Sequence, residues 1–165
     1  MKRHRLVVLA SHPVQYQVPL WRALARHPSI ALTVLYETEF GISRPVRSEF
    51  SASYRWDIPL LEGYSHRFLV NRSPNPSLRG FFGTLPSGLG KTFRELSAEA
   101  LLLTNYSRCA DWQALFCARR MRIPVLLRVE TSSLFRASLI RSLRQSLATR
   151  WLLSRMSAFL SIGTV

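Results

Sequence analysis

Three short polar clusters hold the side chains in this sequence that could do chemistry. Ser11, His12, Gln15 and Tyr16 follow the apolar run Leu6–Leu9, Asn105 and Tyr106 follow the apolar run through Leu103, and Arg128, Glu130 and Ser132 close a third such run. A histidine, a carboxylate and an arginine converging on one cleft can bind a phosphorylated or sugar-bearing substrate. His12 could act as donor, acceptor or general base near neutral pH. The plain alternative is a structural histidine beside a helix. Arg128 and Glu130 could equally form a simple ion pair, and Glu130 reaches a ligand only if it faces the cleft.

Their positioning elements can be read from hydrophobic pattern. Leu6–Leu9 is continuously apolar, as in a strand covered on both faces. Pro19 suits a first helical turn, and Leu20, Trp21 and Leu24 give that helix an apolar side. Ile30–Tyr36 reads as a second strand and His66–Val70 as a short third. Residues 37–65 hold no long periodic segment but carry Phe40, Phe50, Tyr54, Trp56 and Tyr64. Aromatics there can stack on a sugar or base, or simply pin the loop to the body. Asn71–Ser77 is a turn-rich link, and residues 78–98 read as an interrupted helix. Glu99–Thr104 is a strand, and Asp111–Met121 is a helix with Asp111 expected as its cap. Ile123–Val129 is the next strand, Leu134–Leu153 a long helix and Ser157–Ile162 a last strand. Strands alternating with helices predict an α/β, Rossmann-like parallel sheet with helices on both faces, in one domain over residues 1–165. In such a sheet the polar clusters lie at the carboxyl edge, where ligands bind.

Several chemistries are excluded. Gly88-Leu-Gly-Lys-Thr92 suggests a phosphate loop, but Leu85 stands where that pattern needs its first glycine, so the stretch reads as a loop and helix start. There is no dinucleotide fingerprint, no metal-ligand cluster and no serine in a nucleophile elbow. Cys109 and Cys117, eight apart on one predicted helix, give neither a disulfide framework nor a metal spacing, and fit core packing in a reducing compartment. The basic start is followed by too short an apolar run for a signal-peptide core, and no run approaches the ~20 residues needed to span a bilayer. The expected location is cytoplasmic, with peripheral attachment to a membrane left open.

The charge is unusual. Lys and Arg number 23 against 9 Asp and Glu, for a net +14 over 165 residues, and only Lys2 and Lys91 are lysines. Such a surface attracts nucleic acid, anionic lipid or phosphate-bearing small molecules. An arginine-rich coding bias with a diffusely solvated positive surface is the plain alternative. Ten of the arginines lie within residues 108–155, against Asp111 and Glu130. At ~100° per residue, Arg141, Arg144 and Arg155 fall within about 60° of one another, opposite an expected core stripe of Leu139, Leu143 and Leu147. Arg136 and Arg150 point nearer that stripe. An anionic membrane surface is the preferred partner for such a face; nucleic acid is disfavoured, because no recognition module accompanies the charge.

The ordered set of motifs resembles a known family. His12-Pro-Val-Gln-Tyr16 followed by Val18-Pro-Leu-Trp-Arg-Ala-Leu-Ala25 is similar to the opening of family 4-type glycosyltransferases of the two-domain GT-B fold. Phe40-Gly41, Trp56-Asp57, Leu60-Leu-Glu-Gly-Tyr64, Phe68-Leu69 with Asn71, and Leu127-Arg128 with Glu130 and Ser132 follow in the same order. Val129 departs from the Arg-Gly-Glu-like form of that family. The resemblance implies an N-terminal, acceptor-binding half whose partner half holds the nucleotide-sugar donor and a paired-glutamate motif that has no counterpart here. It implies a lipid or saccharide acceptor and no bound metal or other cofactor. His12 and Glu130 would be catalytic, and Ser11, Gln15, Tyr16, Asn105, Tyr106, Arg128 and Ser132 would bind substrate. The chain is then expected to be cut short, or completed by a donor-binding domain on another polypeptide. The alternative is a non-catalytic, membrane-recruiting or scaffolding subunit with the same fold.

Overall fold

A computed structural model describes residues 2–40, 42, 58–78, 80–128 and 147–160, and the backbone alone of 46–47 and 53–54. Its elements are β1 (His4–Ala10), α1 (Val18–Arg26), β2 (Ile30–Tyr36), β3 (Val46–Arg47), β4 (Ser53–Tyr54), β5 (Ser65–Phe68), α2 (Leu89–Glu95), β6 (Ala100–Leu103), α3 (Cys109–Arg120), β7 (Val125–Arg128) and β8 (Ala158–Leu160). A fourth helical segment covers 147–153. β3 and β4 pair as a small antiparallel ribbon, and the other six strands form one sheet ordered β5-β2-β1-β6-β7-β8. Every pairing in that sheet is parallel. The chain starts at the centre, winds outward to one edge, returns to the centre and winds to the other, which is the order of doubly wound Rossmann sheets.

The strands are apolar because both faces are covered. Alternation along β1 sends Val7 and Leu9 to one face, where they meet Phe93 of α2, Ala114, Leu115 and Ala118 of α3, and Leu152. Val8 and Ala10 point to the other, against Val18 and Trp21 of α1 and Leu60 and Tyr64. Trp21 is fully buried, so the Trp of the opening motif is a core residue.

The neighbouring Arg22 explains a distant part of the same pattern. Its guanidinium donates to the carbonyls of Pro59 at 2.6 Å and Glu62 at 2.9 Å, clamping the 58–64 turn onto α1. Gly63 takes φ +88 in that turn, and a Cβ there would meet Arg22 Cγ at 3.2 Å. The Tyr64 hydroxyl then donates to the Leu60 carbonyl and lies 2.8 Å from the Tyr36 hydroxyl, so this aromatic pins the loop.

Four readings need correction. The helix expected over 78–98 begins only at Leu89, because Gly88 at φ +78 sets its start and the preceding stretch is turns. Asp111 is not the cap of α3 but its third residue, buried, with Arg108 in the capping position. Leu147 is 64% exposed, and the residue of that segment that fills the core is Leu152, at 0%. Arg150 is exposed rather than turned toward the core. Arg136, Arg141, Arg144, Leu139, Leu143, Phe50 and Trp56 lie outside the described residues, as does the side chain of Tyr54.

Gly63→Ala should lower stability by about 1–2 kcal/mol, since a left-handed residue gains a Cβ against a clamped guanidinium. Urea denaturation of the variant against the parent checks this; an unchanged midpoint would mean the turn relaxes without loss.

Candidate functional site

With β1 and β6 adjacent and their connections leaving in opposite directions, the sheet opens a crevice at their carboxyl ends. Ser11 and His12 leave β1 there. Ser11 Oγ lies 2.9 Å from His12 Nδ1, and the imidazole meets Phe40 edge-on, with centroids 5.6 Å apart and planes at 86°. The Thr38 N–H donates to the Ser11 carbonyl at 3.0 Å, fixing the exit of β2 to that of β1. On the other side the Thr104 hydroxyl donates to the Leu9 carbonyl at 3.0 Å, fixing the exit of β6. Asn105 Oδ1 accepts from the N–H groups of Tyr106 at 2.7 Å and Ser107 at 3.2 Å, so this predicted ligand-binding carbonyl shapes its own turn. Its amide nitrogen remains the group able to meet a ligand.

Beside His12 lies a buried ionic cluster that hydrophobic patterning and motif matching both missed. Arg108 Nε is 3.1 Å from Glu37 Oε2, and its Nη2 donates to Glu37 Oε1 at 3.2 Å. Glu37 is 1% exposed, Arg108 7% and Asp111 0%. Asp111 Oδ2 accepts from the Arg108 backbone N–H at 3.0 Å, the reciprocal half of a helix cap. Glu37 immediately follows β2 and Arg108 immediately precedes α3, so their pair crosses the end of the central strand β1. The available signal was a charge placed directly after a seven-residue apolar strand, where a solvent-facing loop residue is the usual expectation.

The electrostatics follow from burial. Desolvation, with the nearby Arg108 charge, lowers the His12 pKa to about 4, so the ring is neutral at pH 7 rather than titrating near neutrality. If Nδ1–H donates to Ser11 Oγ, Nε2 is left with its lone pair directed elsewhere; the opposite tautomer makes Nε2 a donor. Desolvation raises Glu37, opposed by Arg108 and the fully buried Thr84 hydroxyl. Asp111 is pushed from 3.8 up to about 7 by desolvation and then by the Glu37 charge, against the pull of Arg108. Two carboxyl groups sharing one guanidinium at this depth leave room for a proton. Arg108 already supplies the positive charge that a cation between these carboxylates would bring.

The other predicted site residues are spread along the same edge. Gln15 is half-buried and Tyr16 is 64% exposed in the turn before α1. Tyr106 is partly buried, its carbonyl accepting from Trp112 Nε1 at 3.0 Å. Arg128 ends β7, half-buried and one strand beyond β6. Glu130 and Ser132 lie outside the described residues. A concavity of about 500 Å³ lined by residues including Arg3, Arg5, Thr33 and Ser65 sits at the opposite, amino edge, where Arg5 is already held by Glu99 at 3.0 Å and the Ser97 carbonyl at 2.6 Å. The convergent polar groups are at the carboxyl edge.

No family model matches the chain, and no curated protein does. Among solved structures, a UDP-glucosyltransferase from Polygonum tinctorium "capable of glucosylating indoxyl and 3,4-Dichloroaniline" is similar over 95% of this chain, at 17% identity and a TM-score of 0.48. The chain spans 34% of that structure's chain. Among the described residues no helix is long and apolar enough to cross a membrane.

Two measurements test the cluster. Asp111 ionises from about 3.8 upward in the unfolded chain but only near 7 in the folded one, so its contribution to stability falls as pH rises through that window. His12 has the opposite sign: the unfolded chain takes up a proton below 6.5 and the folded one only below about 4, so stability is lost as pH falls between them. In urea titrations Asp111→Asn should therefore gain on the parent progressively from pH 4 to 7; a constant difference would mean that Asp111 stays ionised. Separately, Arg108→Met should cost about 3–5 kcal/mol by stranding Glu37, and Arg108→Met with Glu37→Leu should recover most of it. NMR titration of the double variant should show the His12 pKa rising from about 4 while burial still holds it below the ordinary 6.5, and a value unchanged at 4 would remove Arg108 as a cause.

Proposed function

We propose that this chain is the acceptor-binding half of a family 4-like GT-B glycosyltransferase, acting with a donor-binding domain in the same or another polypeptide. The observation that carries the reading is that Ser11–His12 leave β1, and the Asn105–Tyr106 turn leaves the adjacent β6, at the same carboxyl edge of a Rossmann-ordered sheet. The ordered motifs of the sequence support the same assignment. The reaction would move a glycosyl group from a nucleoside diphosphate sugar to a hydroxyl of a lipid or saccharide acceptor. The acceptor oxygen bonds to the anomeric carbon, the bond from that carbon to the diphosphate oxygen breaks, and the acceptor proton leaves.

His12 is neutral at working pH, and in the tautomer with Nδ1–H on Ser11 Oγ its Nε2 can accept that proton. The low pKa makes it a weak base in the empty site; a sugar ring that excludes water and orients its hydroxyl onto Nε2 is what makes the transfer effective. Asn105 and Arg128 offer donors to acceptor oxygens along the edge, with Gln15 and Tyr16 at its rim. Glu130 and Ser132 take the roles that the resemblance implies for them. Stabilisation of the departing diphosphate falls to the donor-binding domain.

In ¹⁵N-edited NMR titrations of the purified chain, soluble oligosaccharides or short-chain lipid-linked saccharides should shift the Ser11, His12 and Asn105 signals. Nucleotide sugars should leave them unmoved, and the chain alone should show no turnover. Robust transfer by the isolated chain would sink the half-enzyme assignment; nucleotide-sugar binding at Ser11–His12 would reverse which half it is.

A further inference from the structure

A second surface, formed by α3 and the 147–153 segment, has the chemistry of a membrane-contacting face. On α3, Trp112, Phe116 and Arg120 stand at successive four-residue intervals, hence on one side of the helix. In the neighbouring segment Leu147, Trp151 and Arg155 follow the same spacing. The two rows lie side by side and in the same sense. Trp112 stacks on Trp151 at 6.0 Å with planes 4° apart, Phe116 lies 5.6 Å from Trp151, and the Arg119 guanidinium donates to the Arg155 carbonyl at 3.3 Å. Each row therefore runs from apolar to basic in the same direction. Phe116 is 49% exposed, Leu147 64% and Trp151 38%, while Arg119, Arg120 and Arg150 are exposed and the Arg155 guanidinium covers the Trp151 ring at 4.8 Å.

We propose that this Trp112–Phe116–Trp151 face, with its rim of arginines, docks on an anionic lipid surface. The layout suits a bilayer interface better than water alone. Indole and phenyl rings favour the headgroup level, where one side is apolar and the other wet. Arginine stems can lie along the aromatic surface while their heads reach lipid phosphates. No carboxylate opposes them on α3, whose only acid, Asp111, is fully buried and turned to the other cluster. A net charge of +14 adds long-range attraction to the same surface. Nucleic acid would engage the arginines but gives no reason for Phe116 and Leu147 to be bare. The proposal does not depend on sugar transfer: the tie of this face to the crevice edge is structural, through Trp112 Nε1, which donates to the Tyr106 carbonyl at 3.0 Å.

Flotation of the full chain with phosphatidylcholine vesicles, with and without phosphatidylglycerol, tests it. Binding is expected only with phosphatidylglycerol, weakening with salt, with a blue shift of tryptophan fluorescence. Arg120→Glu with Arg150→Glu, both at exposed positions, should weaken binding at least ~30-fold, since each arginine near a charged surface is worth about fivefold. Phe116→Ser should retain part of the attraction but lose most of the blue shift. Circular dichroism confirms that each variant is folded. Equal binding to both vesicle types, absence of binding, unaltered flotation of the double arginine variant, or release from vesicles by duplex DNA at equal phosphate would each overturn the assignment.

Discussion

The pair between Glu37 and Arg108 is the constraint on which this edge of the molecule depends. A buried guanidinium cannot shed its charge, so it needs a carboxylate within reach, and the nearest ones come from opposite sides of the central strand. Meeting that need pulls the exit of β2 and the start of α3 together across the end of β1. Ser11 and His12 have to leave the sheet through the space that remains. The charge that closes the fold at this point also adds to the burial that keeps the crevice histidine neutral, so packing and chemistry are joined at a single side chain.

The opening motif divides between two roles. Trp21 and Arg22 serve the fold, one filling the core under the sheet and the other holding the 58–64 turn; Gly63 and Tyr64 answer them from the far side. Asn71 works in the same way: its side-chain carbonyl accepts from the Ser73 and Leu85 N–H groups, and its amide donates to the Gly83 carbonyl, bracing the long connection that brings Thr84 against Glu37. Ser11, His12 and Tyr16 stand instead at the carboxyl edge of the sheet, beside the crevice. Residues that look alike in a pattern thus have unlike reasons for being there.

The main strands were largely legible in the sequence, because a strand buried on both faces must be a mostly apolar run, as Leu6–Ala10, Ile30–Tyr36 and Ala100–Leu103 are. The carboxyl edge followed from their alternation with helices, and the order of the strands did not. Nor did the electrostatic core of the crevice. Glu37, Arg108 and Asp111 are separated by up to 74 residues, and no local pattern distinguishes a charge that will be buried from one that will face water. Asp111 was visible only as a helix-start signal, one position class away from its actual place. Leu147 faces solvent for a related reason: a repeat of leucines fixes a helical period but not which side meets the core, and it is Leu152 that joins the buried cluster.

One structural economy has an evolutionary consequence. Arg108 and Asp111 both start α3 and form part of the charge cluster beside His12, so neither can drift without disturbing a helix and a protonation equilibrium together. Divergence of specificity in relatives built this way would be channelled to positions with a single duty. Tyr16 and Phe40, at the rim of the crevice and outside the ionic cluster, are where such variation can accumulate at least cost to folding.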